Sequence, residues 1–321
     1  LFPNSQYGRY FETLKGTEVV DDNTINVVTK SADPILPDRM YFMMVPAPKW
    51  AKENAEELPI KAIGTGSYKL KEWNKGQFVR LEANPDYWGS PKPAIGEVTL
   101  LARKEPSVRA AMCRTGEAQV CYNITTEDSK NAPKAIKQQT VEVVAVRFNT
   151  ITNPVFKDAR VREAANLAID RQTLVDKLYS GFASPSAQWV NPSATGFNGD
   201  IKPKTFDMAK AKSLVAEAKA AGVPVEQPME MWIRTGWFQK DRDMGEAIVN
   251  WFNEAGLTGV KPKLSEAATW RAQLYAVTQD DLNQGKTPAI IMTSHGNEMI
   301  DSSVSLDSYG RCGGRLSSTC M

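Results

Sequence analysis

The sequence predicts an α/β fold. Three observations carry that prediction. From Met229 onward, short β-branched or apolar runs alternate with amphipathic runs of helical length. Between Asp158 and Leu178, the apolar residues Val161, Ala164, Ala165, Ala168, Ile169 and Val175 recur at helical spacing. The 321 residues are 42% hydrophobic and 24% charged, with 21 Gly and 19 Pro, which excludes collagenous, low-complexity and disordered chains.

The elements follow in chain order. Residues 16–30 read as a β-hairpin, two β-branched runs around Asp21-Asp22-Asn23. Pro34 to Pro48 is proline-rich, carries Met40, Met43 and Met44, and reads as loop with a short buried helix. Trp50 to Glu57 reads as a surface helix ended by Pro59. Gly64 and Gly66 read as turn glycines with positive φ. Tyr68–Leu70 and Phe78–Glu82 read as strands joined by a turn at Trp73-Asn74-Lys75-Gly76, with another strand at Val98–Ala102. Ser107–Arg114 reads as a helix, Cys121 as part of a strand-like stretch and Val141–Phe148 as a strand. Asp158–Leu178 and Met208–Ala221 read as helices, the second closed by Gly222 and Pro224. The strands Met229–Arg234, Val260–Leu264 and Pro288–Thr293, with helices Lys240–Glu254 and Thr269–Gln279 between them, complete a β-α-β-α-β series. That series is the signature of an open sheet with helical crossovers. Three segments result: 1–62, 63–140 and 141–321.

Charge and motifs narrow the function. Lys+Arg 39 against Asp+Glu 37 gives +2, too balanced for a dedicated nucleic-acid binder. The longest apolar runs, such as Ala289–Met292, are strand-sized and no membrane span is expected. Gly-x-Ser-x-Gly, P-loop, dinucleotide fingerprint and His-Glu-x-x-His patterns are all missing, so no enzyme is expected and no cofactor. The single histidine, His295, reads as a polar loop residue rather than a metal ligand, and neither nickel nor another metal is expected. Leu1-Phe2-Pro3-Asn4 is neither a start methionine nor a signal peptide, and the sequence reads as a piece of a longer protein or a processed form.

Four cysteines lack any C-x-x-C spacing. Cys312 and Cys320 bracket a Gly- and Ser-rich loop and are expected to form a disulfide, which implies an oxidising compartment, periplasmic or extracellular. Cys113 and Cys121 read either as a second bridge or as a pair of small core residues.

Four stretches together resemble the extracellular solute-binding proteins of family 5, the peptide, dipeptide and nickel-binding components of ABC importers. They are Ile63-Gly64-Thr65-Gly66-Ser67-Tyr68-Lys69-Leu70 with Trp73, and Asn84-Pro85-Asp86-Tyr87-Trp88-Gly89. Next come Arg147-Phe148-Asn149-Thr150 with Phe156 to Ala164, then Ala168-Ile169-Asp170-Arg171 with Gly181-Phe182-Ala183. The resemblance implies a periplasmic-binding-protein-like fold of type II with a family-specific extra domain, here a partial chain. Residues 1–62 would end the extra domain, 63–140 would belong to the first α/β lobe, and 141–321 would form the second, without the C-terminal segment that returns to the first. It also implies the function: a peptide or similar zwitterionic solute captured in an interlobe cleft and delivered to the transmembrane subunits of an ABC permease. A sensor or chaperone-like binder on the same scaffold, or an enzyme of the cell envelope, are the alternatives.

Ligands of open α/β sheets sit beyond the carboxyl ends of strands. Two tips qualify. One is Arg234-Thr235-Gly236-Trp237, where Arg234 would clamp a carboxylate and Trp237 offers an indole face. The other is Ser294-His295-Gly296-Asn297-Glu298 with Asp301, where Glu298 or Asp301 would pair with an amino group. The expected ligand-binding set is Arg234, Trp237, His295, Asn297, Glu298, Asp301 and the loop residue Trp189. Trp73 and Trp88 read as core or hinge packing. Asp158, Arg160, Arg162 and Asp170 read as helix caps and ion pairs.

Overall fold

The computed structural model describes residues 8–275 and 288–309, apart from 59, 62, 133 and 139. Cys312 and Cys320 lie outside the described residues. The chain divides into two compact units, Leu1–Arg109 and Ala110–Met321.

In the first unit, β1 (Leu14–Asp21) and β2 (Thr24–Thr29) form the expected hairpin, antiparallel with Val19 opposite Ile25. Both of those side chains are exposed. Two short helices, α1 (Leu36–Met40) and α2 (Pro48–Glu53), follow, each started by a proline in its first turn, where the missing N–H costs nothing. The helix expected to be buried here is not: no residue of α1 is buried, and Met44 beyond it is exposed, because no neighbouring element among the described residues covers them. A three-stranded antiparallel sheet of order β3-β4-β5 comes next: β3 (Tyr68–Asn74), β4 (Phe78–Ala83) and β5 (Glu97–Leu101). The β3–β4 turn is tighter than the sequence suggested. Trp73 pairs with Val79 inside the ladder, and Gly76 turns the chain at φ 77°. Gly64 and Gly66 are not among the positive-φ glycines. Neither tryptophan is core: Trp73 is 43% and Trp88 78% exposed.

The second unit opens with α3 (Pro106–Thr115), which crosses from the first, and α4 (Thr126–Ser129). Cys113 and Cys121 are bridged, their Cα atoms 6.0 Å apart. Cys121 lies outside any strand, at the far end of the loop that the bridge closes. Closing so short a loop restrains the unfolded chain by about 2.5 kcal/mol in the loop-entropy account.

The strand β6 (Glu142–Phe148) leads into α5 (Pro154–Lys157) and α6 (Ala159–Ala168). The long helix expected over Asp158–Leu178 is broken. Ile169 is extended, Asp170 is not helical, and the Asp170 carboxylate accepts from the Thr173 amide at 2.9 Å, starting α7 (Arg171–Thr173), which runs on as a π-helical turn, Leu174–Leu178. A good capping side chain in mid-run has won over helical periodicity. Asp158 caps α6 the same way through Arg160 N, at 2.8 Å. The remaining elements are α8 (Met208–Ala220), β7 (Met229–Thr235), α9 (Asp241–Glu254), β8 (Val260–Glu266), α10 (Ala267–Tyr275), β9 (Ile290–Gly296) and α11 (Ser302–Tyr309).

The four-stranded sheet has order β6-β9-β7-β8, with β7, β8 and β9 parallel and β6 antiparallel at the edge. One face carries Met229, Met231, Ile233, Ile290 and Met292. It is buried against Phe156, Val161, Ala164, Val215, Ile248 and Phe252 of the helices α5, α6, α8 and α9. Helix α9 sits so close to β7 that a Cβ on Gly245 would fall 2.5 Å from Ile233 Cδ1. The chain leaves β7 for β8 on one side, then returns past β7 to β9 on the other. With right-handed crossovers, α9 and α10 then lie on opposite faces of the sheet. The boundary between β7 and β9 is therefore a topological switch point.

Candidate functional site

The switch point brings both expected tips together. β7 and β9 are parallel neighbours, paired from Met231↔Ile290 to Ile233↔Met292, so Arg234 and His295 emerge at the same carboxyl edge. With Ile233 and Met292 turned into the core, the alternate positions Trp232, Arg234, Ile291, Thr293 and His295 project to the opposite face.

At the β7 tip, the Arg234 guanidinium carbon stands 4.5 Å from the Trp237 ring centroid. Trp237 in turn packs on Trp270 of α10, centroids 5.5 Å apart. Trp270 is buried, and its Nε1 has no hydrogen-bond partner. The turn carrying Trp237 is fixed at both ends by left-handed residues, Gly236 at φ 72° and Lys240 at φ 61°. Inside it, the buried Asp241 carboxylate accepts from Trp237 N at 2.7 Å, Phe238 N at 3.3 Å and Arg242 N at 2.8 Å. Tyr179 donates its hydroxyl to Gln239 O at 2.7 Å, and Gln239 Nε2 donates to Ile124 O at 2.6 Å. Burial, reinforced by the carboxylates of Asp241, Glu142 and Asp243, pushes the Tyr179 phenol above its ordinary range and keeps it a donor.

The β9 tip is built differently. His295 is 4% and Asn297 2% exposed. His295 Nε2 lies 2.8 Å from the Ser305 hydroxyl of α11, and Asn297 Nδ2 donates to that same hydroxyl at 2.9 Å and to Asp301 O at 2.7 Å. The Trp189 ring meets the imidazole edge-on at 6.3 Å. His295 and Asn297 thus face inward and hold the turn rather than line open space. Glu298 is exposed, and its carboxylate reaches back over Gly296, where a Cβ would stand 3.2 Å away. Asp301 is half-buried and forms a bridge with Thr195, and its side chain accepts from Ser303 N at 2.8 Å, at the start of α11. Ile300 is held at φ 52° by Thr195, whose amide donates to Ile300 O at 2.9 Å.

Sequence reasoning missed Asp241, Trp270 and Ser305. Asp241 carried a signal, an acid directly after a strand-tip turn and at a helix start. Trp270 and Ser305 carried none, because only packing brings α10 and α11 to this edge. Among the described residues no group of His, Cys, Asp and Glu is placed to hold a metal, and no helix is long and apolar enough to cross a membrane.

The architecture is that of known solute-binding proteins. It matches the periplasmic binding protein DppA from Helicobacter pylori, solved with the peptide STSA, at TM-score 0.74 and 24% identity over 95% of this chain and 60% of that one. It matches a dipeptide-binding protein from Pseudoalteromonas sp. SM9913, solved with Met-Leu, at TM-score 0.76 and 19% identity over 98% of this chain and 62% of that one. The chain belongs to the bacterial extracellular solute-binding proteins, family 5 (middle), whose family model matches residues 2–317. A curated relative, the glutathione-binding protein GsiB of Salmonella typhi, is 31% identical over 230 residues, 67% of this chain. The chain spans 44% of that relative's length.

Proposed function

We propose that this chain is part of the substrate-binding component of an ABC importer, one that captures a peptide or similar small zwitterionic solute outside the cytoplasmic membrane and delivers it to the permease subunits. It carries out no catalysis and needs no cofactor. Residues 1–62, 63–140 and 141–321 take the parts of extra domain, first lobe and second lobe. The observation that carries the reading is the switch point between β7 and β9, which sets Arg234 beside the 295–301 turn at one sheet edge. Arg234 is the carboxylate clamp, its guanidinium carbon 4.5 Å from the Trp237 ring centroid. Glu298 and Asp301 are the acids placed to meet an amino group. His295 and Asn297 support the turn that presents them, because both are buried and share the Ser305 hydroxyl, and Trp189, edge-on to His295, remains a candidate contact.

Native mass spectrometry of the full-length protein purified from its own cells weighs the co-purified solute directly. Calorimetry with that solute then tests the clamp. Arg234→Ala is expected to weaken binding of a carboxylate-bearing solute by about 1.5–3 kcal/mol, the range for a hydrogen bond to a charged group. Unchanged affinity removes Arg234 from the site.

A further inference from the structure

The Arg234 guanidinium rests on an indole whose backbone is tied by a buried acid, Asp241. Trp237 cannot be placed by its own ring alone. Its neighbour Gly236 has φ 72°, a conformation that leaves the following peptide many alternatives once its anchors are removed. The anchor is Asp241, which gathers the amides of Trp237, Phe238 and Arg242 on its two carboxylate oxygens. The amides of Trp237 and Phe238 belong to an irregular turn, and that of Arg242 belongs to the first turn of α9, so one buried acid welds the turn to the helix. Helix α9 is itself fixed to β7, since Gly245 lies against Ile233 with no room for a side chain. A continuous rigid path therefore runs from the core through Asp241 to Trp237, and from Trp237 to Arg234.

We propose that Asp241 is a positioning residue of this site, acting through the Trp237 indole to hold the Arg234 guanidinium at the β7 tip. An arginine on a free side chain loses about 2 kcal/mol of rotamer freedom on binding. A guanidinium already stacked meets its ligand with much of that entropy lost beforehand. The proposal rests on Arg234 as the clamp, and its test is read without any ligand.

The test is the Nε–Hε resonance of Arg234 in the full chain labelled with 15N-arginine, assigned by its loss in Arg234→Lys. In the wild type this resonance is expected upfield of the other arginines, because the indole ring current shields it. Trp237→Leu should return it to the common position. Asp241→Asn keeps the shape and one acceptor oxygen, so the chain folds, and it should move the Arg234 resonance toward the common position. The resonances of Arg160 and Arg171, whose hydrogen-bond partners Asp158 and Asn166 lie outside this turn, should stay where they are. A wild-type Arg234 resonance at the common position overturns the proposal, as does one unmoved by Asp241→Asn. If every arginine resonance moves together, Asp241 has a general structural role and the proposal also falls. The clamp itself is judged separately, by the calorimetry of Arg234→Ala.

Discussion

His295 and Ser305 meet inside the protein, imidazole Nε2 to hydroxyl oxygen at 2.8 Å, and Asn297 donates to the same hydroxyl at 2.9 Å. One serine on α11 therefore serves two polar side chains of the β9 tip. Ser305→Ala should cost about 1–3 kcal/mol, the penalty for taking a partner from buried polar groups. Urea unfolding reads the loss. A variant as stable as wild type would show that water or another group replaces the hydroxyl.

Gly245 and Ile233 define how closely α9 lies on β7. A Cβ at Gly245 would stand 2.5 Å from Ile233 Cδ1 and 2.9 Å from Cγ1. Gly245→Ala should destabilise by about 1–3 kcal/mol through overpacking, although it improves helix propensity. Ile233→Val removes the nearest atom, so the double variant should regain part of the loss. A double-mutant cycle measures this coupling, and additivity would contradict the packing described.

Asp158 carries a pH dependence. The Arg160 guanidinium, hydrogen-bonded at 2.7 Å, together with the Arg160 amide, holds the Asp158 carboxyl below its ordinary value. A carboxyl whose pKa is lower in the folded state contributes stability above its unfolded pKa of about 3.9, and that contribution is lost as pH falls through the folded value. Asp158→Ala should cost about 1 kcal/mol near neutral pH, as loss of a helix cap does. The difference from wild type should shrink as pH drops below about 4. A difference independent of pH would separate the cap from its charge.

Ile300 is a β-branched residue at φ 52°, in the turn beyond β9, and it is largely exposed. Left-handed backbone costs such a residue about 1–2 kcal/mol, whereas asparagine tolerates it. Ile300→Asn should raise stability by about 0.5–1 kcal/mol, with Ile300→Val giving no gain. The midpoint of chemical denaturation decides. A lower midpoint for Ile300→Asn would mean that the side chain's remaining contacts outweigh its strain.

Much of the fold was legible because its signals are local. The hairpin over 14–29 follows from β-branched runs around Asp22-Asn23. The caps at Asp158 and Asp170 follow from residue type next to an apolar period. The break at Ile169 was written in the same Asp170 but was outvoted by periodicity on either side. Trp73 and Trp88 were misjudged because a large aromatic says how much area it would bury, not whether a neighbour arrives to bury it. The choice of Arg234 and the 295–301 turn followed from a rule about strand ends, and the two lie at one edge because β7 and β9 are neighbours. That His295 and Asn297 face inward was not legible, since Ser305 reaches them from a helix that follows in sequence but packs back over the strand end.

From residues alone came the alternation of strands and helices, the position of each tip and the affiliation with solute-binding proteins, since these depend on period, propensity and short motifs. Tertiary structure alone decided that β9 inserts between β6 and β7, which side chains of each tip remain accessible, and that Cys113 joins Cys121. The first two depend on crossover direction and on packing between segments far apart in the chain, and the bridge on how α3 and the loop after it bring two nearby thiols within reach, a geometry that residue spacing alone leaves open.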